Sequence, residues 1–218
     1  WNMHNQVQTV NVAHNASFKY YYWMDASTGR IVKNEGKDIS YTIEPYSSLF
    51  LLATNNKIPE SKLSKTIETE SSKVLKELPN WNIKVGDVSL SNSPLFDWIT
   101  NDSLKYKSEI GVYSTTFDIN NIVKDKKYLL DLGTVYYDAE VFLNGKSVGK
   151  KIWMPFEFDI TSLLQKGKNL IEVRVTPTFR NEFIGEGLKG NSKYLRFRGK
   201  EKTLLSTGLI GPVLIKSE

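Results

Sequence analysis

Residues 139–149 have the sequence Ala139-Glu140-Val141-Phe142-Leu143-Asn144-Gly145-Lys146-Ser147-Val148-Gly149. Aromatic and β-branched residues, which favour strands, lie on both sides of the central Asn-Gly pair. Asn-Gly is the strongest short hairpin signal, because a type I′ turn needs a positive φ at both of its central residues. The segment therefore predicts an antiparallel β-hairpin, and the flanking segments then indicate the fold class.

Further strands are predicted on both sides of this hairpin. Residues 112–117, 128–132 and 170–175 have the composition of strands, and residues 7–54 contain several short strands separated by turn residues. Many short strands with turns at regular intervals are typical of antiparallel sandwiches. The sequence therefore predicts an all-β protein with two β-sandwich domains in series.

One six-residue sequence pattern occurs twice. Phe117-Asp118-Ile119-Asn120-Asn121-Ile122 is echoed by Phe158-Asp159-Ile160-Thr161-Ser162-Leu163. Each phrase predicts a strand that ends near an Asp and continues into a turn capped by Asn or Thr. Gly167 is placed to close the second turn before the next strand.

A change in composition predicts the domain boundary. Residues 59–78 are rich in Ser, Lys and Glu and contain few apolar side chains, and Pro79 ends the segment. Such a segment indicates a linker helix or a charged loop. We therefore predict a partial β-sandwich domain over 1–56, a linker over 57–79 and a larger sandwich domain over 80–218.

The composition excludes several kinds of site. The 218 residues include no cysteine and only two histidines, His4 and His14. A disulfide scaffold, a thiolate metal site, a cysteine nucleophile and a histidine-rich metal centre are therefore excluded. No stretch approaches the ~18 apolar residues of a membrane-spanning helix, so a membrane is not an expected partner.

The net charge of +5 raises the possibility of nucleic-acid binding. Six basic residues cluster near the C-terminus: Lys189, Lys193, Arg196, Arg198, Lys200 and Lys202. The alternation in Arg196-Phe197-Arg198 predicts a strand, and the remaining lysines lie among Gly and Ser residues typical of loops. Because no helix or motif that enters a groove is present, a nucleic-acid partner is not expected.

Three patterns suggest chemistry but have simpler structural explanations. Glu157 and Asp159 share one face of a predicted strand at the separation of a glycosidase carboxylate pair, although Asp159 has a predicted role at the strand end. Gly185, Gly187 and Gly190 have the spacing of a dinucleotide fingerprint but lack a βαβ unit, so a surface loop is predicted. Asp97, Asn101 and Asp102 could supply part of a calcium site, and otherwise form turns. No cofactor is predicted.

A sugar-binding surface is the more plausible functional site. Exposed aromatic faces stack on pyranose rings, while Arg and Asn side chains pair with hydroxyls. The candidates lie in or next to predicted loops: Trp153, Tyr136, Tyr137, Phe179, Arg180 and Asn181. The alternative is that these aromatic side chains belong to the core of the sandwich.

A family resemblance covers most of the chain. The hairpin at 139–149, Pro155-Phe156-Glu157-Phe158-Asp159-Ile160-Thr161 and residues 167–173 resemble the galactose-binding-like jelly roll of family 2 glycoside hydrolases. Leu95-Phe96-Asp97-Trp98, residues 181–185 and residues 206–213 resemble the C-terminal part of glycoside hydrolase family 106, the α-L-rhamnosidases. Residues 22–31 and 43–48 are similar to the β-domain that precedes the jelly roll in that family.

The resemblance implies a function for the chain. The catalytic barrel of such enzymes lies N-terminal to these modules, so the chain is expected to be a non-catalytic C-terminal accessory region. It would belong to a bacterial hydrolase that is secreted, periplasmic or on the cell surface. Its expected partners are the catalytic domain of the parent polypeptide and a polysaccharide or oligosaccharide. The alternatives are an independent carbohydrate-binding module and a structural or adhesion β-module.

Overall fold

The computed structural model divides the chain into two compact units, Trp1–Ser71 and Ser72–Glu218. It describes residues 1–4, 6–13, 17–25, 28–35, 38–43, 47–64 and 72–218. The predicted linker over 57–79 is therefore shared between the units, and its central part, 65–71, lies outside the described residues. Its last part is a strand rather than a helix or a loop, because Lys73–Glu77 pairs with the C-terminal strand of the second unit.

The first unit contains two small antiparallel sheets. Its strands are β1 (Gln8–Asn11), β2 (Tyr20–Met24), β3 (Ile31–Lys33), β4 (Ser40–Ile43) and β5 (Phe50–Thr54). β1 pairs with β4, and β2 lies between β3 and β5. A short 3-10 helix, Glu60–Lys62, follows. Trp23, Val32 and Ile39 form the small buried core.

The second unit contains twelve strands. They are β6 (Lys73–Glu77), β7 (Asn80–Val85), β8 (Val88–Pro94), β9 (Gly111–Ile119), β10 (Tyr128–Asp131), β11 (Thr134–Tyr136), β12 (Asp138–Leu143), β13 (Lys146–Lys151), β14 (Glu157–Asp159), β15 (Gly167–Thr176), β16 (Gly208–Gly211) and β17 (Leu214–Ser217). Six form a sheet in the order β13-β12-β15-β9-β7-β8, and four form a second sheet in the order β14-β10-β17-β6. β11 pairs with β16, and all of these pairs are antiparallel.

One buried core holds the second unit together. Buried and exposed residues alternate along β7, β12 and β15, as expected for strands with one face against a core. Val141 and Val173 of the six-stranded sheet belong to the same buried cluster as Leu130, Phe158 and Ile215 of the four-stranded sheet. The all-β fold predicted from the sequence is thereby confirmed.

The predicted hairpin is present with its predicted turn. β12 pairs with β13 from Ala139 opposite Lys151 to Leu143 opposite Lys146, with a register shift between Val141 and Phe142. Asn144 and Gly145 have φ angles of 53° and 78°, which is the conformation that a type I′ turn requires. The turn predicted after Asp159 is also present, because the Asp159 carboxylate accepts a hydrogen bond of 3.0 Å from the Thr161 backbone N–H.

Two predictions near the C-terminus were wrong. The glycine-rich segment predicted as a surface loop forms helix α1 (Arg180–Leu188), and the predicted strand at 196–198 is replaced by a 3-10 helix, Ser192–Phe197. Glycine suits this helix because it packs closely: a Cβ at Gly185 would lie 2.9 Å from Tyr106, and one at Gly187 would lie 2.7 Å from the Tyr194 carbonyl oxygen. Two further 3-10 helices are Trp98–Thr100 and Glu201–Thr203.

Candidate functional site

The strand register places the six predicted sugar-binding residues at one end of the six-stranded sheet. β12 begins at Asp138, directly after the two tyrosines, and Asp138 pairs with Thr176 at the end of β15, just before 179–181. β13 ends at Lys151, which pairs with Ala139 at the same end and leads to Trp153. Residues 136–137, 152–155 and 177–181 therefore leave the sheet at a common edge, which we call the aromatic end.

Tyr136 and Tyr137 form a pair of aromatic rings at the aromatic end. Their ring centroids lie 5.9 Å apart in an edge-on arrangement, and both side chains are half-buried. Burial, followed by the proximity of Tyr136, raises the pKa of Tyr137, whereas a hydrogen bond with Thr178 and the charge of Arg180 oppose this rise. The Tyr137 hydroxyl is therefore neutral at physiological pH and can both donate and accept a hydrogen bond.

Phe179 is an exposed ring at the end of a stack of aromatic side chains. It lies parallel to Phe183 at 6.0 Å, and Phe183 lies parallel to Tyr194 at 4.8 Å. Phe197 contacts the same stack, 5.5 Å from Phe183. Because Phe179 is 61% exposed and supported from one side, its free face can accept the apolar face of a sugar ring.

Arg180 and Asn181 mainly hold neighbouring chain segments. The Arg180 guanidinium donates hydrogen bonds of 2.9 Å to the Thr203 hydroxyl and 3.3 Å to the Thr203 carbonyl oxygen. Asn181 is buried, and its amide donates to the Leu205 carbonyl oxygen at 2.8 Å and accepts from the Leu205 N–H at 2.9 Å. Since the Asn181 amide is used by the chain itself, we remove this residue from the candidate surface.

Trp153 is the most exposed of the six residues. It is 70% exposed and lies between Ile152 and Met154, which are 57% and 37% exposed. The loop that carries it is held by a hydrogen bond of 3.1 Å from the Lys151 ammonium group to the Pro155 carbonyl oxygen. The indole is therefore presented at the tip of an apolar loop, which suits stacking on a ligand or packing against another domain.

Asp97 lies close enough to the aromatic end for its charge to act on Tyr137, although the sequence suggested it for a calcium site. Its carboxylate accepts hydrogen bonds from the backbone N–H groups of Ile99 at 3.2 Å and Thr207 at 3.0 Å. Asn101 accepts from the Ser103 N–H, and Asp102 forms an ion pair of 2.5 Å with Lys105. Within the described part of the chain, no group of three or more His, Cys, Asp or Glu side chains could hold a metal ion.

Glu157 and Asp159, which have the spacing of a carboxylate pair, have separate structural partners. The Glu157 carboxylate lies 3.0 Å from the Lys216 ammonium group, which also lies 2.6 Å from Asp131. Asp159 caps the turn at Thr161, as described above. Burial opposes the charge on Lys216, but its hydrogen bonds to the two carboxylates outweigh this cost and raise its pKa.

A cleft of about 410 Å³ lies away from the aromatic end. Asparagine, serine and threonine side chains dominate its walls, and its lining residues come from 76–82, Asn92, 114–116 and Leu170. The six predicted residues, all of which the structure describes, lie outside this lining. Sequence reasoning did not identify the cleft, because it forms where strands distant in the sequence meet.

Comparison with known proteins identifies the family. Residues 66–193, more than half of the chain, match the family described as glycosyl hydrolase 2 galactose-binding domain-like. The chain belongs to this family. The matched residues include the hairpin at 139–149, the strand end at Asp159 and the long strand β15.

Individual relatives agree with this assignment. The chain is 31% identical over 169 residues to a protein of Formosa agariphila named "Putative beta-glucuronidase", covering 64% of this chain and 14% of the relative. It is also 31% identical over 105 residues to a beta-galactosidase of Priestia megaterium, covering 44% of this chain and 10% of that enzyme. The chain thus spans a small part of the length of the curated relatives it matches.

A solved structure matches nearly the whole chain. The rhamnosidase from Novosphingobium sp. PP1Y superposes with a TM-score of 0.72 at 22% identity, covering 98% of this chain and 22% of the rhamnosidase. At this level of identity the match establishes a shared fold.

In the described part of the chain, the helices are too short or too polar to cross a membrane.

Proposed function

We propose that this chain is a non-catalytic accessory region of a secreted glycoside hydrolase of the α-L-rhamnosidase type, and that it lies C-terminal to the catalytic domain. The observation that carries the proposal is the match of 98% of the chain to 22% of a rhamnosidase. A region of this size within a larger hydrolase would pack on the catalytic domain and complete the walls of the substrate cleft. Residues Glu157 and Asp159 support a non-catalytic role, because each has a structural partner.

The aromatic end is the surface we assign to polysaccharide contact. Trp153 and Phe179 supply exposed aromatic faces, and Tyr136 and Tyr137 supply hydroxyl groups at the same edge of the sheet. Aromatic rings bury a large apolar area at low entropic cost, which suits recognition of a flat pyranose face. Arg180 lies next to these rings and keeps donor groups beyond those bound to Thr203.

The proposed absence of catalytic activity is tested with the purified chain. The chain alone is incubated with aryl α-L-rhamnosides and aryl β-glycosides, and release of the chromophore is followed over time. We expect no turnover above the buffer control. Turnover proportional to protein concentration would contradict the non-catalytic role, provided that the activity follows the protein through two unrelated purification steps.

An independent carbohydrate-binding module is the second candidate function. Trp153 and Phe179 favour it, because two exposed aromatic side chains at one end of the sheet are suited to stacking on sugar rings. Calorimetry with pectin fragments and neutral oligosaccharides separates the two roles. Binding that Trp153→Ala abolishes with the fold intact would favour the module, whereas the packing role predicts that Trp153→Ala leaves any affinity of the isolated chain for these sugars unchanged. A structural or adhesion module predicts neither sugar affinity nor attachment to a hydrolase.

A further inference from the structure

The positive charge of the chain is concentrated in one short segment. Residues 189–203, which we call the basic corner, contain six Lys and Arg residues and one carboxylate, Glu201, so their net charge is +5. The whole chain also has a net charge of +5. The remaining residues are therefore neutral overall, and the long-range attraction of this protein for anions comes from these fifteen residues.

The basic corner is a fixed part of the fold. The 3-10 helix Ser192–Phe197 packs so closely on α1 that a Cβ at Gly187 would lie 3.0 Å from the Arg198 backbone nitrogen. The Asn191 side chain caps this helix by accepting from the Lys193 N–H at 3.2 Å, and it donates to the Glu186 carboxylate at 2.9 Å. Cations on such a scaffold keep a defined spacing, unlike those of a flexible lysine-rich tail.

The aromatic rings of the basic corner pack inward, whereas its cations are exposed. In a 3-10 helix, side chains three residues apart lie on the same face. Tyr194 and Phe197 have this spacing and contact Phe183, whereas Lys193 and Arg196 have the same spacing and are exposed. The inward aromatic face therefore anchors the helix, and the cationic face is left to solvent.

The cations of the basic corner are largely uncompensated. Across the described residues, a carboxylate within ion-pair distance is present for Lys189 alone, which lies 2.8 Å from Glu186. Arg198, Lys200 and Lys202 are exposed, and the Arg196 guanidinium lies 4.9 Å from the centre of the Phe197 ring. Arginine binds carboxylate and sulfate oxygens in a bidentate fashion, so these groups are ready to receive an anion.

We propose that the basic corner binds an anionic polysaccharide, one that carries carboxylate or sulfate groups along its chain. The stack of Tyr194, Phe183 and Phe179 joins the cationic helix to the exposed Phe179 ring. A uronate or a sulfated sugar offers both an anionic group for the cations and an apolar ring face for Phe179. The inference rests on the proposed function in that it takes a polysaccharide as the partner. Short 3-10 helices do not fill a nucleic-acid groove, which favours a glycan over duplex DNA.

The test compares two triple variants of the full chain by affinity electrophoresis and calorimetry. The probes are polygalacturonate for carboxylates, dextran sulfate for sulfates and unmodified dextran as the neutral control. Lys193→Gln, Arg196→Gln and Arg198→Gln together should weaken anionic binding by about tenfold or more, because each exposed charge contributes modestly. Lys84→Gln, Lys124→Gln and Lys146→Gln together remove the same charge elsewhere and should leave this binding unchanged. Added salt should weaken the wild-type interaction.

Several results would overturn the proposal. It fails if neither anionic polymer binds, if the two triple variants lose affinity equally, or if duplex DNA binds as tightly as the polysaccharides at the same salt concentration. The variants replace exposed side chains, and equal melting temperatures verify their folding; Lys200→Gln with Lys202→Gln is a second variant for the same comparison. If the chain binds neither polygalacturonate nor dextran sulfate but packs on a hydrolase catalytic domain, this inference fails and the proposed function stands.

Discussion

The two ends of the six-stranded sheet are closed by different kinds of contact. At the hairpin end, the Asn144 amide donates to the Asn169 side chain at 2.9 Å and to the Leu163 carbonyl oxygen at 3.1 Å, residues that lie 25 and 19 positions away. At the aromatic end, Asp97 accepts from Thr207, a residue 110 positions away. The contacts of the first end stay within residues 144–169, whereas the contact at the second end joins segments 110 positions apart.

Two buried asparagines show the same contrast. The Asn169 side chain makes four hydrogen bonds, to Gln165, Gly167 and Asn144, and so satisfies the turn that precedes its own strand. Asn181 instead holds Leu205, 24 positions further along the chain. Three of the four Asn169 hydrogen bonds thus stay within the turn at 165–169, whereas both hydrogen bonds between Asn181 and Leu205 join separate segments.

The largest expected effect is that of Trp98→Ala at the aromatic end. Trp98 is 1% exposed, and its indole N–H donates to the Tyr113 hydroxyl at 2.6 Å. Removing a buried ring of this size should lower the free energy of unfolding by about 3–5 kcal/mol, measured by urea denaturation. The exposed Trp153→Ala is the matched control and should change it by less than about 0.5 kcal/mol. Equal effects of the two variants would contradict the description of this end.

The second prediction concerns the alkaline stability of the aromatic end. Burial raises the pKa of Tyr113 from 10.0 in the unfolded chain to about 12 in the folded protein. The folded state thus favours the neutral phenol. This contribution to stability is fully present below pH 10 and is lost as the pH rises to about 12. It amounts to roughly 2–3 kcal/mol, since each pKa unit corresponds to about 1.4 kcal/mol.

Tyr113→Phe separates this contribution from the other titrating groups. The variant should lose about 1–3 kcal/mol at neutral pH, because the Trp98 and Leu209 N–H groups lose their acceptor. Its stability should then fall less steeply than that of the wild type between pH 10 and 12, when both are unfolded by urea at several pH values. Parallel curves over that range would show that Tyr113 is not the titrating group.

Asn181→Ala tests whether this residue holds the chain or serves a ligand. We expect a loss of about 1–3 kcal/mol, because the Leu205 N–H loses its acceptor and the Leu205 carbonyl oxygen keeps only its hydrogen bond from the Thr207 hydroxyl. Asn169→Ala should cost a similar amount at the hairpin end, whereas the exposed Asn120→Ala should change stability by less than about 0.5 kcal/mol. An Asn181 variant as stable as the wild type would return this residue to the candidate sugar surface.

The smallest of the expected effects is that of Gly145→Val at the hairpin end. Gly145 has a φ of 78°, and among the described residues no heavy atom lies within 4 Å of the position that a Cβ would occupy. The cost is therefore backbone strain alone, about 1–2 kcal/mol in the melting analysis. Gly145→Asn, which tolerates a positive φ, should retain most of the wild-type stability. A valine variant with unchanged melting temperature would contradict the turn geometry.

Predictions from the sequence were correct where the signal is local, and wrong where distant segments pack together. The hairpin at 139–149 and the Asp159 turn were predicted correctly, because their signals lie within a few residues of one another. The helix at 180–188 was not predicted, because its glycines were taken as loop residues when they in fact allow close packing on Tyr106 and Tyr194. The strand predicted at 196–198 was wrong because the alternation of Arg196, Phe197 and Arg198 was taken as a strand pattern, whereas Phe197 packs on Phe183 from a 3-10 helix.

The sequence by itself determined the all-β fold, the hairpin and the concentration of charge in residues 189–203. These depend on local backbone preferences and on composition, which need no knowledge of distant partners. Packing between distant segments is needed to bury Asn181, to expose Phe179 on a stack of rings, and to hold Lys193 and Arg196 on a 3-10 helix beside α1. Burial and spacing of this kind arise only when segments far apart in the sequence pack against each other.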